Sequence, residues 1–472
     1  MTLPFEDHFH LGPEELHRLL AVALASGGDF AEIFLEYRVY HFVLMEEDII
    51  KETSESISLG LGVRVCQGEK TGYAFTNDLA AEKTRLAAQS AAAIVDAGAP
   101  GRGADLRDER SSLDVYPLLE PAHQTDLGTK IDIVREAYAA CQGVDPAVKK
   151  VKAALQDQAQ YLTIANSEGR LVSDVRPLVK LTCVAIAERG SVREYGFSGG
   201  GGRVGLEYFR NVLAPRAVGG DAAREALLLL EARDAPAGEM PVVLSPGHAG
   251  VLIHEAVGHL VEADFNRKKT SIFWNKMGER IGSGLVTIYD DPTIPGFRGS
   301  YAVDDEGTVP RKTPLVESGL LTGLLQDKLS ARLMGQAETG HGRRQDYTDF
   351  PIPRMANTFI APGEDDPEDI VRSVKKGLYA DRFTGGQVED SGKFTFSVSS
   401  GYLIEDGRLT APVKQATLIG SNVDILRKID RVGHDLAFGQ QTGTCGKEGQ
   451  DVPVTDGCPT VRISRMTVGG RE

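Results

Sequence analysis

Near the middle of the 472-residue chain, His254, Glu255, His259 and Glu262 interrupt an otherwise apolar stretch, residues 249–263. Projected at about 100° per residue, Leu252, Ile253, Ala256, Val257, Leu260 and Val261 share one broad side of a helix. The two histidines, the two carboxylates and Gly258 occupy the remaining arc. Imidazoles and carboxylates gathered beside an apolar face make a donor set for a metal held next to a core. The spacing departs from the zinc-protease helix His-Glu-x-x-His, whose histidines lie four apart and point at one ion. Here they lie five apart, and on a straight helix they diverge by about 140°. A single-turn π-bulge absorbs one residue and would realign them. The interval therefore predicts a bulge at Val257-Gly258, or an early unwinding, with Gly258 easing the deformation. An unbroken straight α-helix over residues 249–264 would count against shared coordination, and spacing alone fits a polar helix face as well as a metal site.

A third ligand has to come from elsewhere. Cys445 stands in Gly443-Thr444-Cys445-Gly446, a glycine-punctuated turn where backbone can approach an ion closely. Two imidazoles and one thiolate favour zinc and leave a fourth position open, the layout of a catalytic site. Cys458, in Gly457-Cys458-Pro459, is the competing thiol, and a small buried residue is the plain alternative for either cysteine. His248 also falls on the polar arc, but its Gly-His-Ala-Gly setting suggests a structural or substrate-facing role.

These residues need elements to hold them. Residues 241–244 form a short β-branched run, Ser245 suits an N-cap and Pro246 a first helical position, so a strand is expected to turn directly into the metal helix. Upstream, residues 13–26 read as an amphipathic helix, 32–45, 57–66 and 72–75 as an antiparallel meander, 79–97 as an Ala-rich helix and 98–108 as a loop. Residues 129–140 and 146–157 carry helical periodicity, and 161–165, 169–173 and 179–189 return to strand patterns. Residues 222–232 form a Leu-rich helix, and 234–241 are the best linker in the chain. The second half is rich in short strands, with hairpins expected at 315–321 and at 394–418 around Glu405-Asp406-Gly407, and helices at 367–379 and 422–431. The expected fold class is α+β in two domains: an N-terminal domain of antiparallel sheet plus helices, 1–235, and a strand-rich C-terminal domain carrying the metal helix, 236–472.

Composition removes several function classes. The net charge is -15, with 52 Lys and Arg against 67 Asp and Glu. The basic residues cluster only as pairs such as Lys149-Lys150 and Arg343-Arg344, which argues against a nucleic-acid surface. Five scattered cysteines do not make a disulfide framework, so any functional thiol is expected reduced. No apolar run approaches membrane-spanning length and residues 1–7 lack a leader pattern, so a cytoplasmic protein without a membrane partner is expected. Residues 200–205 match G-x-G-x-x-G letter for letter. Their surroundings read as antiparallel, so a flexible loop is expected there and not a nucleotide cradle.

The helix His254-Glu255-x-x-x-His259, continued by Leu260-Val261-Glu262-Ala263-Asp264, closely resembles that of the TldD/PmbA family of metalloproteases, once called modulators of DNA gyrase. Similar blocks recur in order at Val303-Asp304-Asp305-Glu306-Gly307, Gly342-Arg343-Arg344, Pro353-Arg354-Met355 and Cys445-Gly446-Lys447-Glu448-Gly449-Gln450, and the first half agrees more loosely. The resemblance implies zinc ligands at His254, His259 and Cys445, with Glu255 as the catalytic carboxylate. It implies a peptidase for small or unfolded polypeptides, of the TldD-like kind that carries the helix motif. It also implies assembly with a PmbA/TldE-like sister subunit that lacks the motif, or as a homodimer. The reading from another class is a non-catalytic scaffold that binds peptides or a partner and holds zinc structurally. An open coordination position favours the enzyme, and four protein ligands favour the scaffold.

Overall fold

A computed structural model describes residues 8–95, 101, 103–109, 111–117, 120–388 and 392–470. The N-terminal residues 1–7 and part of the loop expected at 98–108 lie outside them. The first half is organised by one antiparallel sheet. Helix α1 (Pro13–Ala23) opens on a proline with Glu14 and Glu15 in its first turn, where the helix dipole favours acids. Strands β1 (Phe30–Glu46), β2 (Ile49–Gln67) and β3 (Lys70–Thr76) then form the expected meander. After α2 (Ala81–Ala92) and α3 (Leu127–Gln142) come β4 (Val148–Asn166), β5 (Arg170–Arg189), β6 (Val192–Gly202) and helix α4 (Pro215–Glu231). The strand order is β3-β2-β1-β4-β5, with β6 also paired to β5.

Alternation gives this sheet two unlike faces. On one, Ile33, Leu35, Leu61 and Val63 meet α1 and α2, and Leu155, Leu181 and Cys183 meet α3 and α4. On the other, Phe34, Leu162, Ile164 and Val172 pack on Val303 from the second half. Further along that second face the β1, β4 and β5 registers place Gln156, Gln158, Gln160, Arg176 and Lys180, all polar.

The second half contributes two larger sheets. Strand β7 (Gly238–Leu244) leads to α5 (Gly250–Ile253), the start of the helix that carries the candidate metal ligands. Strands β8 (Ile288–Asp290), β9 (Thr313–Glu317), β10 (Leu320–Leu321) and β11 (Asn357–Ile360) precede α6 (Pro367–Arg372). There follow β12 (Lys376–Val388), β13 (Lys393–Glu405), β14 (Arg408–Ser421), α7 (Asn422–Lys428) and β15 (Ile429–Val432). The chain ends in β16 (Thr444–Lys447), β17 (Gln450–Pro453), β18 (Thr455–Cys458) and β19 (Val461–Gly469). Strand β19 pairs with β7, β7 with β12, β12 with β13, β13 with β14, and β14 again with β19, so this sheet closes on itself. The other runs β10-β9-β8-β11-β18, with the last pair parallel. Both feed one core in which Leu244, Ile360, Leu378, Phe396, Leu418 and Ile463 surround Leu252, Ile253, Ala256 and Val257 of the metal helix.

Several expectations are corrected. Of the residues 146–157 expected as a helix, 148–157 belong to β4 and the two before them form a turn. The ladder shifts register between Val148 and Lys150, so buried Val148 and Val151 sit three apart before the alternation resumes at Ala153 and Leu155. Across that bulge a strand imitates helical spacing. Residues 200–202 are not a loop but the buried end of β6, paired antiparallel with β5. The expected helix 367–379 stops at Arg372, because Lys376 onward joins the closed sheet, and the helix at 422–431 yields to β15 at Ile429. Both hairpins form, with Ser318-Gly319 and Asp406-Gly407 at positive φ as tight turns between twisted strands require.

Candidate metal centre

The strand-to-helix junction is less direct than expected. Ser245 does not cap the helix, and its hydroxyl donates to the Asp381 carbonyl at 2.7 Å. The helix begins only at Gly250, which the wall of β18 demands: a Cβ there would lie 2.6 Å from the Gly457 nitrogen. After one α turn the backbone adopts a π-turn over His254–Gly258 and then a 3-10 turn over His259–Val261. The extra residue of the five-residue interval is absorbed where the spacing predicted it, and the two rings come to 5.2 Å between centroids, edge to face. Gly258 has an ordinary helical φ of -50°, so backbone freedom is not what selects it. A Cβ at that position would lie 1.9 Å from the Met355 sulfur. Glycine is there because Met355 packs onto the π-turn.

His254, His259 and Cys445 form one three-donor group, with a nitrogen from each ring and the sulfur all within 4.8 Å of one another. Cys445 lies on the β16–β17 hairpin, and its Sγ is 3.5 Å from His259 Nε2. Arg354 fixes that strand by donating to the Cys445 carbonyl. The other ring nitrogens are occupied: His254 Nδ1 meets Asp456 at 2.8 Å and His259 Nδ1 meets Glu262 at 3.0 Å. These carboxylates set both Nε2 atoms toward the thiol, the arrangement in which metal-binding imidazoles are usually oriented. Lys447 in turn lies 3.1 Å from Glu262 and 2.7 Å from Asp264. Glu255 sits at the mouth, its Oε2 3.9 Å from His259 Nε2, and it accepts no hydrogen bond from the described residues.

Electrostatics follow from these neighbours. Burial opposes a charged His254, but Asp456 and Cys445 outweigh it and hold the imidazole well above its ordinary value. Burial likewise opposes charge on His259, yet Glu262 and the thiol raise it to about 10. Cys445 is pushed well below its ordinary value: burial works against the thiolate and the two histidines prevail. Glu262, although buried, is drawn down to about 2 by Lys447 and His259. Burial raises Glu255, only partly offset by the two histidines.

The donor set fits a zinc ion. Zn–S near 2.3 Å and Zn–N near 2.0–2.1 Å in a tetrahedron imply a sulfur–nitrogen edge of about 3.5 Å, the separation between Cys445 and His259. The other sequence candidates lie apart from this group. Cys458 is wholly buried in the core, with its thiol donating to the Pro459 carbonyl. His248 is half-buried, and its imidazole is pushed down to about 4 by burial and by Arg382. Sequence reasoning missed Asp456 as the orienting group for His254, and missed Lys447 as the cation that keeps Glu262 charged. An acid inside the β-prone run 452–458 was the available signal for Asp456, and for Lys447 only its place in the block that begins with Cys445.

Three family models match the chain: PmbA/TldA metallopeptidase domain 1 over residues 31–95, the central domain over 120–230 and the C-terminal domain over 237–470. A metalloprotease TldD homolog of Haemophilus influenzae is 42% identical over 453 residues, covering 94% of this chain and 93% of that protein. A metalloprotease of Methanocaldococcus jannaschii is 35% identical over 460 residues, 96% and 98% of the two chains. Among solved structures, a candidate modulator of DNA gyrase from Thermotoga maritima superposes with a TM-score of 0.76 at 24% identity, over 97% of this chain and 99% of that one. The structure of TldE from Thermococcus kodakarensis superposes with a TM-score of 0.75 at 18% identity, over 97% and 99%. These two likenesses establish a shared mixed α+β fold.

Proposed function

The chain belongs to the PmbA/TldD metallopeptidase family, and from that premise we propose that it is a zinc-dependent peptidase in which His254, His259 and Cys445 hold the metal and Glu255 is the general base. When bound, zinc supplies Lewis acidity toward a peptide carbonyl and lowers the pKa of a coordinated water toward about 7. The protein's own groups do the rest. Asp456 and Glu262 orient the two imidazoles, and Lys447 keeps Glu262 ionised for that task. Glu255 takes the proton of the attacking water and delivers it to the leaving amine.

The observation that carries this assignment is the state of the carboxylates. Asp456, Glu262 and Asp264 are each held by a basic partner. Glu255 has none closer than the 3.9 Å contact to His259, and burial raises its proton affinity, as suits a base that must accept a proton and release it. A three-donor group with no fourth side chain among the described residues supports catalysis over a closed structural site. The substrate class we propose is small or unfolded polypeptide. An extended segment could be held by main-chain pairing at a sheet edge. A PmbA/TldE-like sister subunit, or a second copy of this chain, is the proposed partner.

The test is Glu255→Ala, assayed for metal content and for cleavage of an unfolded polypeptide, with and without the sister subunit. Metal content is expected to stay at the wild-type level while hydrolysis falls by about 10²–10⁴-fold. Full activity in that variant would remove Glu255 from the mechanism.

A further inference from the structure

Between the polar face of the first sheet and the second half lies a cavity of ≈ 440 Å³. Seven of its lining residues are Arg or Lys and three are Asp, in a protein whose net charge is -15. Three of the cations are compensated: Arg38 by Glu36, Arg176 by Asp174 and Asp305, and Arg344 by Glu32. The acids are largely accounted for as well, since Asp305 is taken by Arg176, Asp157 by Lys130, and Asp451 stands exposed.

The remaining four cations, Lys180, Arg203, Arg298 and Arg343, form no ion pair among the described residues. Arg203 is 2% exposed, and its only side-chain bond to the described residues is from Nη1 to the Pro177 carbonyl at 3.4 Å. Arg298 is 6% exposed and donates through Nε to the Gly443 carbonyl at 2.7 Å. Arg203 Nε and Arg298 Nη1 are buried with no partner. The Lys180 side chain makes no hydrogen bond to the described residues. Arg343 spends both terminal nitrogens on the Met355 and Pro453 carbonyls. Burial depresses all four, and Arg298 repels Lys180 and Arg203. Buried guanidinium groups with empty N–H positions are costly unless an anion completes them. The volume falls within the range of about 300–1,000 Å³ usual for organic ligands, and the planar fork of arginine suits two oxygens at once.

We propose that this cavity is a second binding site, specific for an oxyanion, in which Arg203, Arg298 and Lys180 bind a carboxylate or phosphate group. The G-x-G-x-x-G match thus marks a real position for a different reason. It ends β6 so that Arg203 follows the paired glycines into the cavity wall, and no nucleotide loop is formed. Arg298 and Arg343 also hold the Gly443 and Pro453 ends of the hairpin that carries Cys445, so the anion site and the metal centre share that hairpin as a wall.

An acidic group of a polypeptide and a small phosphate present the same oxygens, so the test has two arms. Isothermal titration of the full-length, metal-loaded Glu255→Ala protein is carried out with inorganic phosphate, and separately with a short peptide bearing a free C-terminal carboxylate against the same peptide as its carboxamide. Saturable binding of phosphate assigns the site to a free small anion. Saturable binding of the acid but not the amide assigns it to a polypeptide. In either arm Lys180→Gln and Arg298→Gln are expected to weaken binding about tenfold or more at unchanged metal content. The Lys180 side chain has no hydrogen bond or ion pair with the described residues to lose in folding, so its variant stays informative should Arg298→Gln fail to fold. No saturable binding in either arm, or undiminished binding by Lys180→Gln, overturns the proposal. Turnover enters neither arm, so the result is separate from the fate of the peptidase reading.

Discussion

At the proposed metal centre each fixed charge has an opposite: His254 faces Asp456, His259 faces Glu262, and Lys447 bridges Glu262 and Asp264. In the neighbouring cavity Lys180, Arg203, Arg298 and Arg343 lie together and form no ion pair with a carboxylate of the described residues, the lining acids Asp157 and Asp305 being paired to other cations. Both regions are polar interiors touching the β16–β17 hairpin, yet one has donors converging on the place of a cation and the other has donors converging on the place of an anion. What separates them is the condition of the last uncommitted group. It is a carboxylate, Glu255, at the first, and a set of N–H donors at the second. Removing a cation should therefore have opposite consequences in the two places.

The largest effect is expected at Lys447. Lys447→Met leaves Glu262 and Asp264 buried without their cation, and loss of about 3–5 kcal/mol of stability is expected in urea unfolding. Near-wild-type stability would mean that the acids do not depend on the lysine. Asp456→Asn tests orientation without removing a ligand, and zinc affinity is expected to fall about 10–100-fold in competition with a chromophoric chelator while the fold survives. The compensated region should also dominate the acid limb. Glu262 is lowered in the folded chain from 4.5 to about 2, so its contribution is complete above pH about 4.5 and disappears as pH falls toward about 2. Metal-stripped wild type should lose stability across that window, and Lys447→Met should lose less. The smallest effect is the sharpest contrast: Lys180→Gln in anion-free buffer should change stability by no more than about 0.5 kcal/mol, with a gain favoured because Arg298 repels the lysine. A loss of several kcal/mol there would make the cavity's cations structural.

The sequence disclosed these regions unequally, for physical reasons. The π-turn was legible because the five-residue interval between His254 and His259 is local and only a bulge reconciles it with a shared face. The meander, α1 and both hairpins were legible for the same reason, since period-2 patterns and Asp-Gly or Ser-Gly turns act over a few residues. The strand at 148–157 was not, because its bulge shifts the burial phase and its Lys and Ala residues favour helix locally while the sheet decides globally. Cys445 could not be separated from Cys458 by residues alone, since proximity to a helix 186 positions earlier is a property of the folded chain. Asp456 and the cavity arginines are non-local in the same way. Each arginine looks like an ordinary surface cation until the sheet and the second half close over it.

Two imidazoles and one thiolate from this chain are proposed to hold the metal. X-ray absorption at the zinc K-edge of the metal-loaded protein tests it most directly. One sulfur is expected at about 2.3 Å with nitrogen or oxygen neighbours at about 2.0–2.1 Å, and the sulfur shell is expected to be lost in Cys445→Ser but not in Cys458→Ser. A spectrum with no sulfur shell in the wild type, or one that vanishes with Cys458→Ser, would contradict it.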